Sequence, residues 1–315
     1  MPRPPRDEQL ILQIARLRYE NGLPQHEIAE QLSLSDATIS RYLKQALELG
    51  FIEIQVAPRA FRDFKLERDL VRRFDLASAI VVESRPTVIA TRNLLGGATA
   101  QMLEKLIHDS IVIGVSNGET IASVAERMKQ TRAKHLEVVT LIGGVGKAEE
   151  PSHSGRICRT LAEGIGAHSW VLPAPATVDR PDVAEALLAS PAIHEVMSVM
   201  SRVEIAIVGI GSMEPGSSTF THGLFSQDHL DDLVTRHAVG SICARFYDDD
   251  GHILSSSVDD CTLSFDLERL RQVRHRIGAA FGAEKRKAIR AAIRGRLINI
   301  LGTDATTATA LLKDD

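Results

Sequence analysis

PQHEIAEQLSLSDATISRYLK, residues 24–44, is the stretch on which the reading of the N-terminal part turns. Pro24 pre-sets the first turn of a helix through Gln25–Leu32, since its ring fixes φ and the N–H it lacks is one the first turn does not use. Ile28 and Leu32 share a face of that helix, and Ala29 is small where a second helix must cross closely. Ser33-Leu34-Ser35 breaks the pattern, and Ser35 is of a type that caps the helix to come. Leu34, Ile39 and Tyr42 or Leu43 complete the apolar set. Two short helices at this spacing form a helix-turn-helix, whose second helix enters the DNA major groove. Glycine is usual at the turn; Ser33 must therefore take a left-handed or tightened conformation at some cost.

With Ile39 and Leu43 turned inward, the second helix presents Asp36, Ala37, Thr38, Ser40, Arg41 and Lys44. Together with the cap, the candidate DNA contacts are Ser35, Asp36, Thr38, Ser40, Arg41 and Lys44, with Arg41 and Lys44 suited to phosphate or guanine. A plain three-helix packing module is the bland alternative. Upstream, apolar residues from Asp7 keep helical spacing to a break at Gly22–Pro24, so three short helices are expected between Asp7 and Leu49. FIEIQV, residues 51–56, alternates and then meets Pro58, which reads as a strand or wing. The boundary follows: 1–58 as a winged helix-turn-helix DNA-binding domain, 59–315 as a second, larger domain. Arg59–Phe74 is helical and charged, a connector.

Downstream, apolar runs alternate with helical stretches: Ala79–Val82, Ile111–Val115, Val138–Ile142, Trp170–Leu172, Ile205–Ile210, Ile277–Phe281 and Leu297–Leu301. This is the rhythm of a Rossmann-like, mostly parallel α/β domain. Several runs end in glycine or in Ser, Thr or Asp before a helix, where open α/β sheets place ligands. Ser116, Asn117, Gly118, Glu119 and Thr120 form one such turn, an anion cradle in type. Gly143, Gly144, Gly146 and Lys147 form another, which serves equally as a tight turn where only glycine fits.

Composition excludes several classes. At 315 residues and 44% hydrophobic content the chain can bury a large core. No apolar run reaches the ~20 residues of a membrane span, and the first ten residues lack an apolar signal core; the expected location is the cytoplasm, away from the membrane. Cys158, Cys243 and Cys261 are far apart and form no CxxC pair, so neither disulfide framework nor zinc ribbon is indicated. No HExxH or HxxxH spacing occurs, and neither metal nor cofactor is expected. The net charge of -4 does not itself point to nucleic acid. From Arg269 to Arg296, however, there are ten Lys or Arg and one acid, which suits either a solvated helix face or an anion site.

Seven segments taken in order, ATISRYLKQALELGFIEIQV (37–56), IGVSNGET (113–120), LIGGVG (141–146), LPAPA (172–176), AIVGIGS (206–212), RFYDDDG (245–251) and KAIRAAIRGRLINILGTDATTA (287–308), resemble the SorC family of sugar-binding transcriptional regulators over nearly the full length. The resemblance implies that 59–315 is a sugar-binding effector and oligomerisation domain, similar to sugar-phosphate isomerases and deaminases, which binds a phosphorylated sugar or related polyol and controls operator binding. It also implies a homodimer or homotetramer, and a role as repressor of a carbohydrate or polyol catabolic operon. Lys285 matches the family's phosphate-binding lysine, beside Gly282. Thr303 and Asp304 match its Thr-Asp pair, with Thr303 a hydroxyl donor to the ligand. Departures are Phe281 and Ala283, where the family has glycine and commonly an acid, and Ser241, where it often has aspartate. The rival reading is a sugar-phosphate isomerase-like enzyme, with Glu119, Asp179 or Glu284 as the base. It finds no histidine in the glycine-rich turns and no use for an appended helix-turn-helix, so no enzyme is expected.

Overall fold

The computed structural model describes residues 6–52, 61–214, 217 and 224–313. The chain divides into two compact units, Met1–Ala57 and Pro58–Asp315. In the first, helices α1 (Arg6–Tyr19), α2 (Gln25–Leu32) and α3 (Asp36–Glu48) follow the apolar spacing. Ile14, Ile28, Ala29, Ile39 and Leu43 form the core, with Leu32, Leu34 and Tyr42 half-buried against it. Pro24 stands just before α2 in extended conformation. Ser33 is left-handed, at φ 54 and ψ 42, and the turn lets the Leu34 N–H reach the carbonyl of Ala29 at 2.9 Å. The Ser35 hydroxyl accepts from the Thr38 N–H at 3.2 Å and so caps α3. Of the expected wing, Phe51 and Ile52 are described: both N–H groups bond the carbonyl of Ala46, and Ile52 packs on the core. Residues 53–56 lie outside the described residues.

The expected connector lies within the second unit. Its described part is the helix α4 (Phe64–Phe74), capped by Asp63 and closed by Asp75 in left-handed conformation. Leu70 is fully buried. The Glu67 carboxylate is also buried, taking Arg62 Nε and Nη2 at 2.6 and 2.7 Å and the N–H of Val81 at 3.0 Å. A charged helical stretch reads as solvated, but here one of its acids is sealed against an edge strand by a bidentate arginine.

That strand is β1 (Ser78–Val82). It is followed by β2 (Val112–Val115), β3 (Glu137–Thr140), β4 (His168–Trp170), β5 (Ile205–Val208), the short β6 (Gly211–Ser212), β7 (Gly240–Ile242), β8 (Arg245–Tyr247) and β9 (Ile253–Leu254), then β10 (His275–Ala279) and β11 (Ile300–Asp304). Seven strands form one sheet in the order β1-β11-β10-β5-β2-β3-β4, parallel at every pairing. The apolar runs are continuous because both faces are covered. In β5, Ile205 and Ile207 enter one core while Ala206 and Val208 enter the other. Two runs are displaced from the strands they announced. Leu172 leaves the ladder, its N–H bonding the Thr140 hydroxyl, while Leu297 closes the preceding helix by bonding the carbonyl of Ala292.

The antiparallel sheet β6-β7-β8-β9 has no counterpart in the sequence reading. Its strands are too short for alternation to show. Its hairpin turn, Cys243-Ala244, holds both residues at positive φ, 52 and 58, as a type I′ turn requires, but without the Asn-Gly pair that usually announces one.

The left-handed Ser33 generates a stability test. Ser33→Gly removes the Cβ penalty of that conformation and is expected to stabilise the N-terminal unit by about 1 kcal/mol in chemical denaturation. Destabilisation by the same amount would show that the serine hydroxyl, rather than the backbone, governs the turn.

Candidate functional site

Adjacent strands β2 and β5 send the chain in opposite directions, toward β3 and β4 on one side and toward β10 on the other. Loops leaving such a pair diverge and open a crevice at the carboxyl ends of the strands. A cavity of about 760 Å³ opens there, within the range of small-molecule sites. After β2 come Asn117, Gly118, Glu119 and Thr120; after β5, Gly209–Ser212; after β10, Phe281, Gly282, Glu284 and Lys285; and from the small sheet, Ser241 and the turn Cys243-Ala244.

Gly118 and Gly282 occupy matching places, each between a parallel strand and the helical turn that follows. Their dihedrals nearly coincide, φ 118 and ψ 151 against φ 113 and ψ 148, in a region that an L side chain rarely adopts. The N–H of Gly118 bonds the carbonyl of Ser152 at 2.9 Å, and that of Gly282 bonds the Thr307 hydroxyl at 2.9 Å. Both turns are thereby fixed from behind.

Charge in the cavity is unevenly paired. Arg92, the lone cation of the helix Val88–Glu104, forms an ion pair with Glu119. Lys285 is half-buried; its N–H bonds the carbonyl of Gly282 at 3.1 Å, but among the described residues its ammonium has no ion pair or hydrogen bond. Burial lowers its pKa below the ordinary lysine value; Glu284 and Glu119 oppose that shift and Arg92 adds to it. Ser212, 1% exposed, also lines the cavity, and among the described residues its hydroxyl has no partner. An unpaired ammonium and an unpaired hydroxyl converging on one concave site suit an anionic, hydroxylated ligand.

Of the expected ligand residues, Asn117, Gly118, Glu119, Thr120, Ser241, Gly282 and Lys285 thus share the cavity wall. The other expected ligand residues stand elsewhere. Ser116 is buried behind the wall, accepting from the N–H of Gly209 and donating to the carbonyl of Asn117, each at 3.0 Å. Gly143 and Gly144 pack against residues 174–175, where a Cβ on Gly143 would lie 2.4 Å from the carbonyl oxygen of Pro175. Gly146 takes φ 72 and Lys147 is exposed, both off the wall. Thr303 is fully buried, and among the described residues its hydroxyl has no partner. The buried Asp304 accepts from the Ser84 hydroxyl at 2.6 Å and from the Thr307 N–H at 3.0 Å. Asp304 thereby supports the turn that carries Gly282 from inside the fold, through Thr307, whose hydroxyl holds the Gly282 N–H. The sequence reading missed Arg92, whose signal is a single cation in a helix otherwise rich in small and apolar residues. It also missed Gly209–Gly211, Phe225 and Cys243-Ala244, which carry no charge pattern at all.

In the first unit, Ser35, Asp36, Ser40, Arg41 and Lys44 are exposed and Thr38 half-buried, on the face of α3 opposite Ile39 and Leu43. The Arg41 guanidinium lies 5.4 Å from the centre of the Tyr42 ring, an arrangement that preorganises a long side chain. Among the described residues no single helix is long and apolar enough to cross a membrane.

Comparison with known proteins agrees with both units. The family model described as "Putative sugar-binding domain" matches residues 58–313, and that of sigma-70 region 4 matches residues 5–48. The sorbitol operon regulator of Klebsiella pneumoniae is 33% identical, over 98% of each chain. The deoxyribonucleoside regulator of Bacillus subtilis is 32% identical, again over 98% of each. The crystal structure of the full-length sorbitol operon regulator SorC from Klebsiella pneumoniae superposes with a TM-score of 0.79 at 32% identity, covering 98% of this chain and 100% of that one. The relatives are regulators, which sets the isomerase alternative aside. With a helix-turn-helix at its N-terminus and a parallel α/β sugar-binding domain behind it, the chain belongs to the SorC family of sugar-binding transcriptional regulators.

Proposed function

We propose that this regulator represses a carbohydrate or polyol catabolic operon and releases its operator when a phosphorylated sugar or polyol enters the cavity between β2, β5 and β10. The observation that carries this reading is Lys285, an ammonium without a partner among the described residues, at the edge of the Gly282 turn. An anion there gains a charge-assisted hydrogen bond that nothing in the free protein supplies. Hydroxyls of the ligand meet Asn117, Ser212, Ser241 and the carboxylates of Glu150 and Glu214, all on the wall. The names of the sorbitol and deoxyribonucleoside regulators support the sugar class. Operator DNA lies in the cytoplasm, and that is where the protein acts.

One short recognition helix reads too few base pairs for useful specificity, so a homodimer or homotetramer on paired half-sites is part of the proposal. Ser35, Asp36, Thr38, Ser40, Arg41 and Lys44 form the DNA face. Arg41→Ala is expected to weaken operator binding by about 1–3 kcal/mol in a fluorescence anisotropy titration. Unchanged affinity would remove Arg41 from the interface.

Lys285→Ala tests the ligand site. In a thermal-shift screen of phosphorylated sugars and polyols, the parent is stabilised by its effector, whereas the variant loses both the shift and the release of operator. Operator binding without effector should stay within about twofold, since α3 is untouched. A variant that still responds would move the anion site away from Lys285. The pH dependence has a definite sign. The bound anion favours the charged ammonium, so affinity is full while Lys285 is protonated and falls as pH rises through its lowered pKa. The loss should set in below the ordinary lysine range, and an affinity flat up to that range would contradict it.

A further inference from the structure

Among the described residues eight buried side-chain polar atoms have no partner, and two of them, Ser264 Oγ and Arg245 Nε, belong to residues that line one small cavity. It measures about 280 Å³ and lies between the helices Pro181–Leu188 and Pro191–Met200 and the segment 262–269. It shares no lining residue with the larger cavity.

The polar groups around it are largely spent. The Thr262 hydroxyl donates to the carbonyl of Val258. The Asp266 carboxylate accepts the N–H groups of Glu268 and Arg269 as a helix cap. One end of the Arg245 guanidinium is held by Asp259 at 2.9 Å. What remains is an N–H donor, a serine hydroxyl that is 6% exposed, and at the rim the exposed Arg269, which has no ion pair among the described residues. The rest of the wall is apolar: Leu188, Met197, Met200, Leu263 and Phe265. Buried donors left unmade are costly, and such groups call for a specific explanation. Water alone would leave the apolar wall without a partner, whereas the two methionines adapt readily to a flexible chain.

We infer that this cavity is a second ligand site, for a short-chain carboxylate: the carboxylate accepts from Arg245 and Ser264, and the alkyl tail lies on Met197, Met200 and Phe265. The site is independent of the sugar site, so the two readings stand or fall separately.

Hexanoate is the probe, titrated into the full-length protein by calorimetry and by thermal shift, with 1-hexanol as the uncharged control. The expected result is saturable hexanoate binding, clearly tighter than that of hexanol. Ser264→Ala should weaken it by about tenfold, the effect of one hydrogen bond to a charged group. Met200→Trp, which fills the cavity, should abolish it, while Lys285→Ala leaves it unchanged. The inference is overturned if no saturable binding occurs, leaving the site to water alone, or if hexanol binds as well as hexanoate. It is equally overturned if binding survives Ser264→Ala and vanishes in Lys285→Ala. The serine variant removes one hydroxyl without altering cavity shape, so the test holds even where the tryptophan is not accommodated.

Discussion

The geometry of the effector unit hangs on one buried hydroxyl. Strands β2 and β5 lie side by side but send their loops apart, and something must hold the two loop roots together if the crevice is to keep its shape. Ser116 does so, accepting the N–H of Gly209 and donating to the carbonyl of Asn117. One side chain joins the root of the loop bearing Glu119 to the root of the loop bearing Ser212. The two roots approach closely: a Cβ on Gly209 would sit 3.3 Å from the Asn117 carbonyl oxygen. The wall of the cavity is therefore set by backbone atoms, and its side chains inherit their positions from the sheet.

A second layer fixes the turn around Gly282. Thr307 holds the glycine N–H, Asp304 holds Thr307, and Ser84 bonds both Asp304 and the N–H of Thr306. Ser84 follows Glu83, whose N–H bonds the carbonyl of Phe61, and the guanidinium of Arg85 stands 4.5 Å over the Phe61 ring. Residues expected to touch ligand act instead through hydrogen bonds behind the wall, a preorganised support for the atoms that face the cavity.

Most of this architecture was legible because it rests on local rules. Apolar spacing defined α1 to α3 and every parallel strand to within a few residues, and Ser35 announced its cap. Half-legible features depended on partners distant in sequence. Gly118 and Gly143 are both glycines after parallel strands, yet one faces the cavity and the other packs on the carbonyl of Pro175. No periodicity separates those cases. Illegible features were those with neither period nor charge: the short antiparallel sheet, its Cys243-Ala244 turn, and the burial of Glu67 under Arg62. Each is decided by tertiary contact, which overrides propensity and pattern.

The central claim is that an anionic group on the effector, held by Lys285, is what shifts this regulator off its DNA. A ligand shifts such an equilibrium only by its differential affinity for the two states. The most direct measurement is operator release, followed by fluorescence anisotropy at fixed salt, during titration with a phosphorylated sugar that binds and then with the same sugar lacking its phosphate. The phosphorylated form should release the operator and the free sugar should leave it bound at the same concentrations. Equal release by both forms would contradict the claim.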